Sequence, residues 1–155
     1  MKKIIFILIL LFIANLSFSQ ENIIPKNQLL DLKKKYNWTN EKVLIVNYYF
    51  PRKECHYNQY HDLKKGKKWF EDNIYKKINL SNAKNIFVYS DKIKARKIID
   101  SKTCFEDFDN YFLKNFFKIK DNCFGIIIIN DEGEFSFKIG EFSSDDVILL
   151  LKNVN

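Results

Sequence analysis

The chain is short of residues that break or bend a backbone: 155 residues include 4 glycines and 2 prolines. So few glycines leave no P-loop and no dinucleotide-binding fingerprint. No Pro- or Gly-rich linker or internal repeat divides the sequence. Histidine is confined to His56 and His61 and arginine to Arg52 and Arg96. No nucleic-acid-binding motif is recognisable, and no nucleic-acid partner is expected. The longest uncharged apolar run, Ile4 to Ile13, is about ten residues, half of the roughly 20 that a membrane-spanning helix requires. No cysteine precedes Cys55, which excludes a lipid-modified cysteine near the start.

The same opening stretch fits a different role. Lys2 and Lys3 supply a positive start, the apolar run follows, and Ser17-Phe18-Ser19 places small residues before Gln20. This is the pattern of a cleavable secretory signal peptide over residues 1–19. The expected mature chain, residues 20–155, is one domain, exported to the periplasm or secreted, with no membrane span after cleavage. Lysines are spread along it, and the cluster Lys64, Lys65, Lys67 and Lys68 reads as a solvated face. All three cysteines, Cys55, Cys104 and Cys123, lie in the exported part, where disulfides persist. An odd count allows at most one intramolecular bridge.

Periodicity orders the elements. Residues 27–36 predict a short helix, with Leu29, Leu30 and Lys33 at helical spacing. Val43 to Phe50 is a nearly continuous β-branched and aromatic run, the mark of a strand covered on both faces. Residues 56–79 predict two helical pieces, with Trp69, Phe70, Ile74 and Ile78 at helical spacing and a break near Gly66. Asn85 to Tyr89 predicts a strand. Phe105, Phe108, Phe112 and Phe116 recur at three and four residues, predicting an amphipathic helix to Lys118 whose aromatic stripe packs in the core. Phe124 to Asn130 and Glu134 to Ile139 predict a hairpin around Asp131-Glu132-Gly133. Ser143 or Ser144 caps a last helix with Asp145 and Asp146 in its first turn. The order helix-β-α-β-α-β-β-α predicts an α/β sandwich with a mixed sheet of about four strands.

Two stretches carry a family resemblance. FGIIIINDEGEFSFKIGEFSSDDVILLLKN is similar to the end of periplasmic thioredoxins and redoxins, and NEKVLIVNYYFP resembles the strand that delivers their active-site loop. Together they cover about 40 residues and imply a thioredoxin-like fold. KKYNWTNEKVLIVNYYFP, through Tyr36, Trp38, Leu44 and Val46, also resembles the thioredoxin-like domain of unknown function of extracellular matrix and small exported bacterial proteins, which generally lacks the redox pair. Active thioredoxins carry Cys-x-x-Cys in the loop after the first strand. Here Arg52 stands three residues before Cys55 and Asn58 three after it. The family's cis-proline region is occupied by Phe124 and Gly125.

Candidate chemistry therefore rests on Cys55, which Arg52, Lys53 and His56 would favour as thiolate. The alternative is an ordinary loop cysteine. Cys104 and Cys123 are a candidate disulfide across the predicted aromatic helix, against two buried free thiols. Cys55, His56 and His61 fall short of a metal site, and neither metal nor cofactor is expected. Asn37-Trp38-Thr39 and Asn79-Leu80-Ser81 match glycosylation acceptors, which matter only in a eukaryotic secretory route. The expected function is a binding or structural module for an unknown protein partner, without dithiol catalysis. The alternative is a single-cysteine thiol-disulfide oxidoreductase or peroxidatic enzyme using Cys55.

Overall fold

The computed structural model describes residues 22–50, 62–118 and 122–154. The expected signal peptide and the segment with Cys55, His56 and His61 lie outside the described residues. Among the described residues, no helix is long and apolar enough to cross a membrane.

The elements are α1 (Lys26–Lys35), β1 (Val43–Tyr49), α2 (Leu63–Phe70) with a π-helical continuation (Glu71–Tyr75), β2 (Ala83–Tyr89), α3 (Lys92–Ala95), β3 (Cys104–Glu106), a 3-10 turn (Phe108–Asn110), α4 (Tyr111–Asn115), β4 (Phe124–Asn130), β5 (Phe135–Ile139) and α5 (Ser144–Lys152). They build a mixed sheet in the order β3-β2-β1-β4-β5. β1 runs parallel to β2, and β2 to β3. β4 runs antiparallel to both β1 and β5.

The apolar runs explain the central positions. All seven residues of β1 are buried, and so are the four isoleucines of β4. A strand alternates its side chains between faces, so a continuous apolar run needs cover on both. Val43, Ile45, Tyr49, Ile126 and Ile128 pack on one face with Leu63 and Phe70 of α2 and Val147 and Leu150 of α5. Leu44, Val46, Tyr48, Ile127 and Ile129 pack on the other with Leu29 and Leu32 of α1 and Phe112 of α4. The sheet is thus the middle layer of an α/β sandwich.

Several expectations are corrected. The sheet has five strands rather than about four, because Cys104–Glu106 adds an edge strand beside β2. The helix expected over Phe105 to Lys118 is divided into β3, the 3-10 turn and α4. Asp109 and Asn110 adopt left-handed φ angles of 58° and 53°, which a continuous α-helix cannot contain. The aromatic residues still pack inward, with Phe105 and Phe112 fully buried. No break occurs at Gly66, which lies buried within α2. α1 buries Leu29 and Leu32 while Leu30 faces outward.

Turn chemistry fixes the C-terminal half. Gly133 has φ +98°, and a Cβ there would meet the Ile24 carbonyl at 2.8 Å. Its carbonyl accepts from the Ile24 N–H at 2.8 Å, while the Phe135 N–H donates to the Asn22 carbonyl at 2.8 Å. Residues 22–24 thus form a strap along the start of β5, with a bridge between Ile23 and Glu134. α5 begins with a capping box: the Asp146 N–H donates to Ser143 Oγ, and the Ser143 N–H donates to Asp146 Oδ2 at 2.8 Å.

Candidate functional site

The carboxyl end of β1 meets the start of β4. Tyr48 is paired in register with Gly125 and Tyr49 with Phe124. The pairing runs one residue further, since the Phe50 N–H donates to the Cys123 carbonyl at 2.8 Å. Phe124 and Gly125 therefore open β4 beside the last residues of β1. Among the described residues every peptide bond is trans.

This end of the sheet is filled by aromatic side chains. On one face the Tyr48 ring stacks on Phe117 with centroids 4.6 Å apart and planes 6° from parallel. Gly125 makes room for that stack: a Cβ on it would lie 2.5 Å from Phe117 Cε1 and 2.9 Å from the Lys138 carbonyl. Tyr48 donates its hydroxyl to Asp107 Oδ2 at 2.9 Å. The Phe112 and Leu113 N–H groups donate to the same carboxylate at 3.0 Å each, satisfying the start of α4. Burial raises the Asp107 pKa, and these hydrogen bonds oppose it only in part.

On the opposite face Tyr49 packs against Phe70, Phe87, Tyr89 and Phe124. Among the described residues, the buried Tyr49 and Tyr89 hydroxyls have no hydrogen-bond partner. Burial pushes both phenols well above the ordinary tyrosine range. Neither can serve as a base near neutrality.

A buried polar cluster escaped sequence reading. Asn47, in the middle of β1, donates to Asn85 Oδ1 at 2.7 Å and to the Ile86 carbonyl at 2.9 Å. It accepts from the Tyr75 hydroxyl at 2.5 Å. Its sequence signal was a lone Asn in an otherwise apolar run, VLIVNYYF, which could have marked a residue needing partners in the core. The cluster ties the π-helical turn to the sheet, with Asn47 and Tyr75 buried and Asn85 half-buried.

The cysteines are not arranged as expected. Cys104 is a free, buried thiol on β3. Cys123 is disulfide-bonded. The candidate Cys104–Cys123 bridge is therefore absent. β3 and β4 are separated by β2 and β1, which at strand spacing is about 14 Å, well beyond a disulfide's reach. Burial raises the Cys104 pKa, making it a poor nucleophile. The Asp100 carboxylate precedes it. Burial disfavours its charge, but N–H donors from Cys104, Lys102 and Thr103 and the Thr103 hydroxyl outweigh that and hold its pKa down to about 2.

Lys64, Lys65 and Lys68 of the lysine cluster are exposed, as expected, whereas Lys67 is half-buried with its ammonium 5.3 Å from the centre of the Phe87 ring. Lys65 pairs with Asp62, Lys67 with Glu71 and Lys68 with Asp72. Among the described residues no group of three or more His, Cys, Asp or Glu could hold a metal ion. A surface cleft of about 290 Å³ lies between α1 and α4, bordered by Gln28, Lys35, Asp109, Tyr111 and Lys114. Lys35 and Asp109 pair across it at 2.5 Å, and Tyr111 donates to Gln28 Oε1 at 3.1 Å. It presents paired charges rather than a nucleophile with a base. Compared with protein-family models, with curated proteins and with solved structures, the chain matches none.

Proposed function

We propose that this chain is an exported protein of thioredoxin-like fold, working without a Cys-x-x-Cys pair as a binding or structural module for a protein partner. Support for the fold comes from the parallel pair β1 and β2 at the centre of the sheet, followed by the antiparallel hairpin β4-β5 and a closing helix. That is the element order implied by the resemblance in residues 40–51 and 124–153.

The observation that carries the functional half is the packing at the carboxyl end of β1. Thioredoxin-like enzymes use this end of the sheet for dithiol chemistry, with a proline facing the pair. Here Gly125 admits Phe117 onto Tyr48. Tyr49, Phe70 and Phe124 occupy the other face. Substrate disulfides need access to a thiolate, and these aromatic groups supply bulk and no proton acceptor at neutral pH.

A disulfide-reductase assay on the wild type and on Cys55→Ser tests the reading. Equal rates near background are expected. A rate that depends on Cys55 would replace it with the thiol-disulfide oxidoreductase reading.

A further inference from the structure

A second cleft, of about 410 Å³, lies between α2 and the turn after α3, a size suited to a small ligand. Lysines reach it from both sides, Lys64 and Lys67 from α2 and Lys97 from the turn. Its two acids are already committed. Glu71 pairs with Lys67. Asp100 Oδ1 accepts from the Lys102, Thr103 and Cys104 N–H groups at 2.8 Å each, and Oδ2 accepts from the Thr103 hydroxyl at 3.0 Å. Among the described residues, Lys64 and Lys97 have neither an ion pair nor a hydrogen bond. We infer that this cleft binds a small organic carboxylate, held between the Lys64 and Lys97 ammonium groups, with a short apolar chain lying on Ile98 and Ile99. The inference does not depend on the thioredoxin-like reading.

Two uncommitted cations that border one cleft repel each other, and an anion between them turns that repulsion into two attractions. The floor does not oppose it. Cys104 is a buried thiol there, and its register with Phe87 puts it on the same face of the sheet as Tyr89. Glu71, Asp100 and Cys104, three of the lining residues, act on the Tyr89 phenol, which sets that hydroxyl just behind the cleft. Burial keeps both the thiol and the phenol protonated at neutral pH. The Tyr89 hydroxyl is a donor without an acceptor among the described residues. The floor thus supplies hydrogen and no further negative charge.

The lining favours a carboxylate over a phosphate. Phosphate is commonly seated on a group of backbone N–H donors. Here the N–H groups of Lys102, Thr103 and Cys104 are spent on the Asp100 carboxylate, so a phosphate would find ammonium groups alone. Ile98 and Ile99 are half-buried beside Lys97 and give the cleft an apolar wall. A ligand with a hydrocarbon chain gains from covering that wall, and an inorganic ion does not.

Titration of the full chain with sodium hexanoate at pH 7 and low salt, followed by amide NMR, tests the site. The amides of residues 64–67 and 97–104 should shift together and saturate, with a Kd on the order of 1 mM. The double variant Lys64→Gln, Lys97→Gln should bind about tenfold more weakly, the loss of two exposed ion pairs. Removing the same charge from α1, on the other face of the sheet, with Lys26→Gln and Lys34→Gln should leave binding as in the wild type. Acetate should bind more weakly than hexanoate, and hexylammonium should not bind. Absence of a saturable shift, equal binding by the Lys64 and Lys97 double variant, or an equal loss in the α1 variant would overturn the inference. Inorganic phosphate or acetate binding as tightly as hexanoate would overturn the assignment to a carboxylate with an apolar chain.

Discussion

Gly125 shows how much one missing Cβ can set. It is buried in β4 opposite Tyr48, and its bare Cα lets the Phe117 ring lie flat on Tyr48. Gly125→Ala would press a methyl into Phe117 and the Lys138 carbonyl. Overpacking of this kind costs about 1–3 kcal/mol, which urea unfolding would read. Phe117→Ala in the same chain should recover part of that loss, because the side chain can give way whereas the carbonyl cannot. A double-mutant cycle gives the coupling. Neither role was legible beforehand. Gly125 was marked as a departure from the family's cis-proline region, and Phe117 lay just outside the spacing of the aromatic stripe. Their contact joins positions on different elements, which periodicity cannot reveal.

The segment from Cys104 to Lys118 shows where periodicity misleads. Phe105, Phe108, Phe112 and Phe116 have helical spacing, yet a strand, a 3-10 turn and a short helix all direct them inward. The Asp107 carboxylate clasps the Phe112 and Leu113 N–H groups and the Tyr48 hydroxyl, holding α4 to β1. Asp107→Ala leaves those donors unpaired and should cost about 2–3 kcal/mol at pH 7. The pH dependence has a definite sign. Burial raises the folded pKa of Asp107 above its unfolded value. Its contribution is therefore fully present below the unfolded pKa and is lost as pH rises through the folded one. The deficit of Asp107→Ala should be larger at pH 4 than at pH 8, as urea midpoints at the two pH values would show. By contrast, the runs at β1 and β4 and the acids of α5 were legible in sequence. Each rests on a local rule, strand burial on both faces or helix capping, which distant partners do not disturb.

Across the whole molecule, two carboxylates set acid tolerance from opposite ends of the chain's core elements. Asp146, at the start of α5, is held down to about 2 by the Lys138 ammonium and by the Ser143 N–H and hydroxyl. Asp100, before β3, is held at about 2 by its backbone and hydroxyl donors acting against burial. Both folded pKa values lie below the unfolded one. The stability they contribute is present above the unfolded value near 3.9 and is lost as pH falls through about 2. Stability should therefore decline between pH 4 and pH 2. The double variant Asp100→Asn, Asp146→Asn should be less stable at pH 7 and show a shallower acid decline, measured by urea titrations across that range. The layer architecture was legible from the order of elements, while the fifth strand was not. A three-residue strand carries no period to detect, and it exists because the parallel edge of β2 stands ready to pair with it.

The strap of residues 22–24 gives the start of the chain an unexpected duty. It occupies the Gly133 carbonyl and the Phe135 N–H, which would otherwise be open at an outer strand of the sheet. The expected processing point, before Gln20, leaves it only a short lead. Trimming a few residues further in, or fusing a tag whose own backbone competes for the same groups, would strip this guard. A chain lacking residues 22–24 should therefore offer the margin of β5 to a strand from a second molecule, which size-exclusion chromatography would read as a larger species than that of the untrimmed chain.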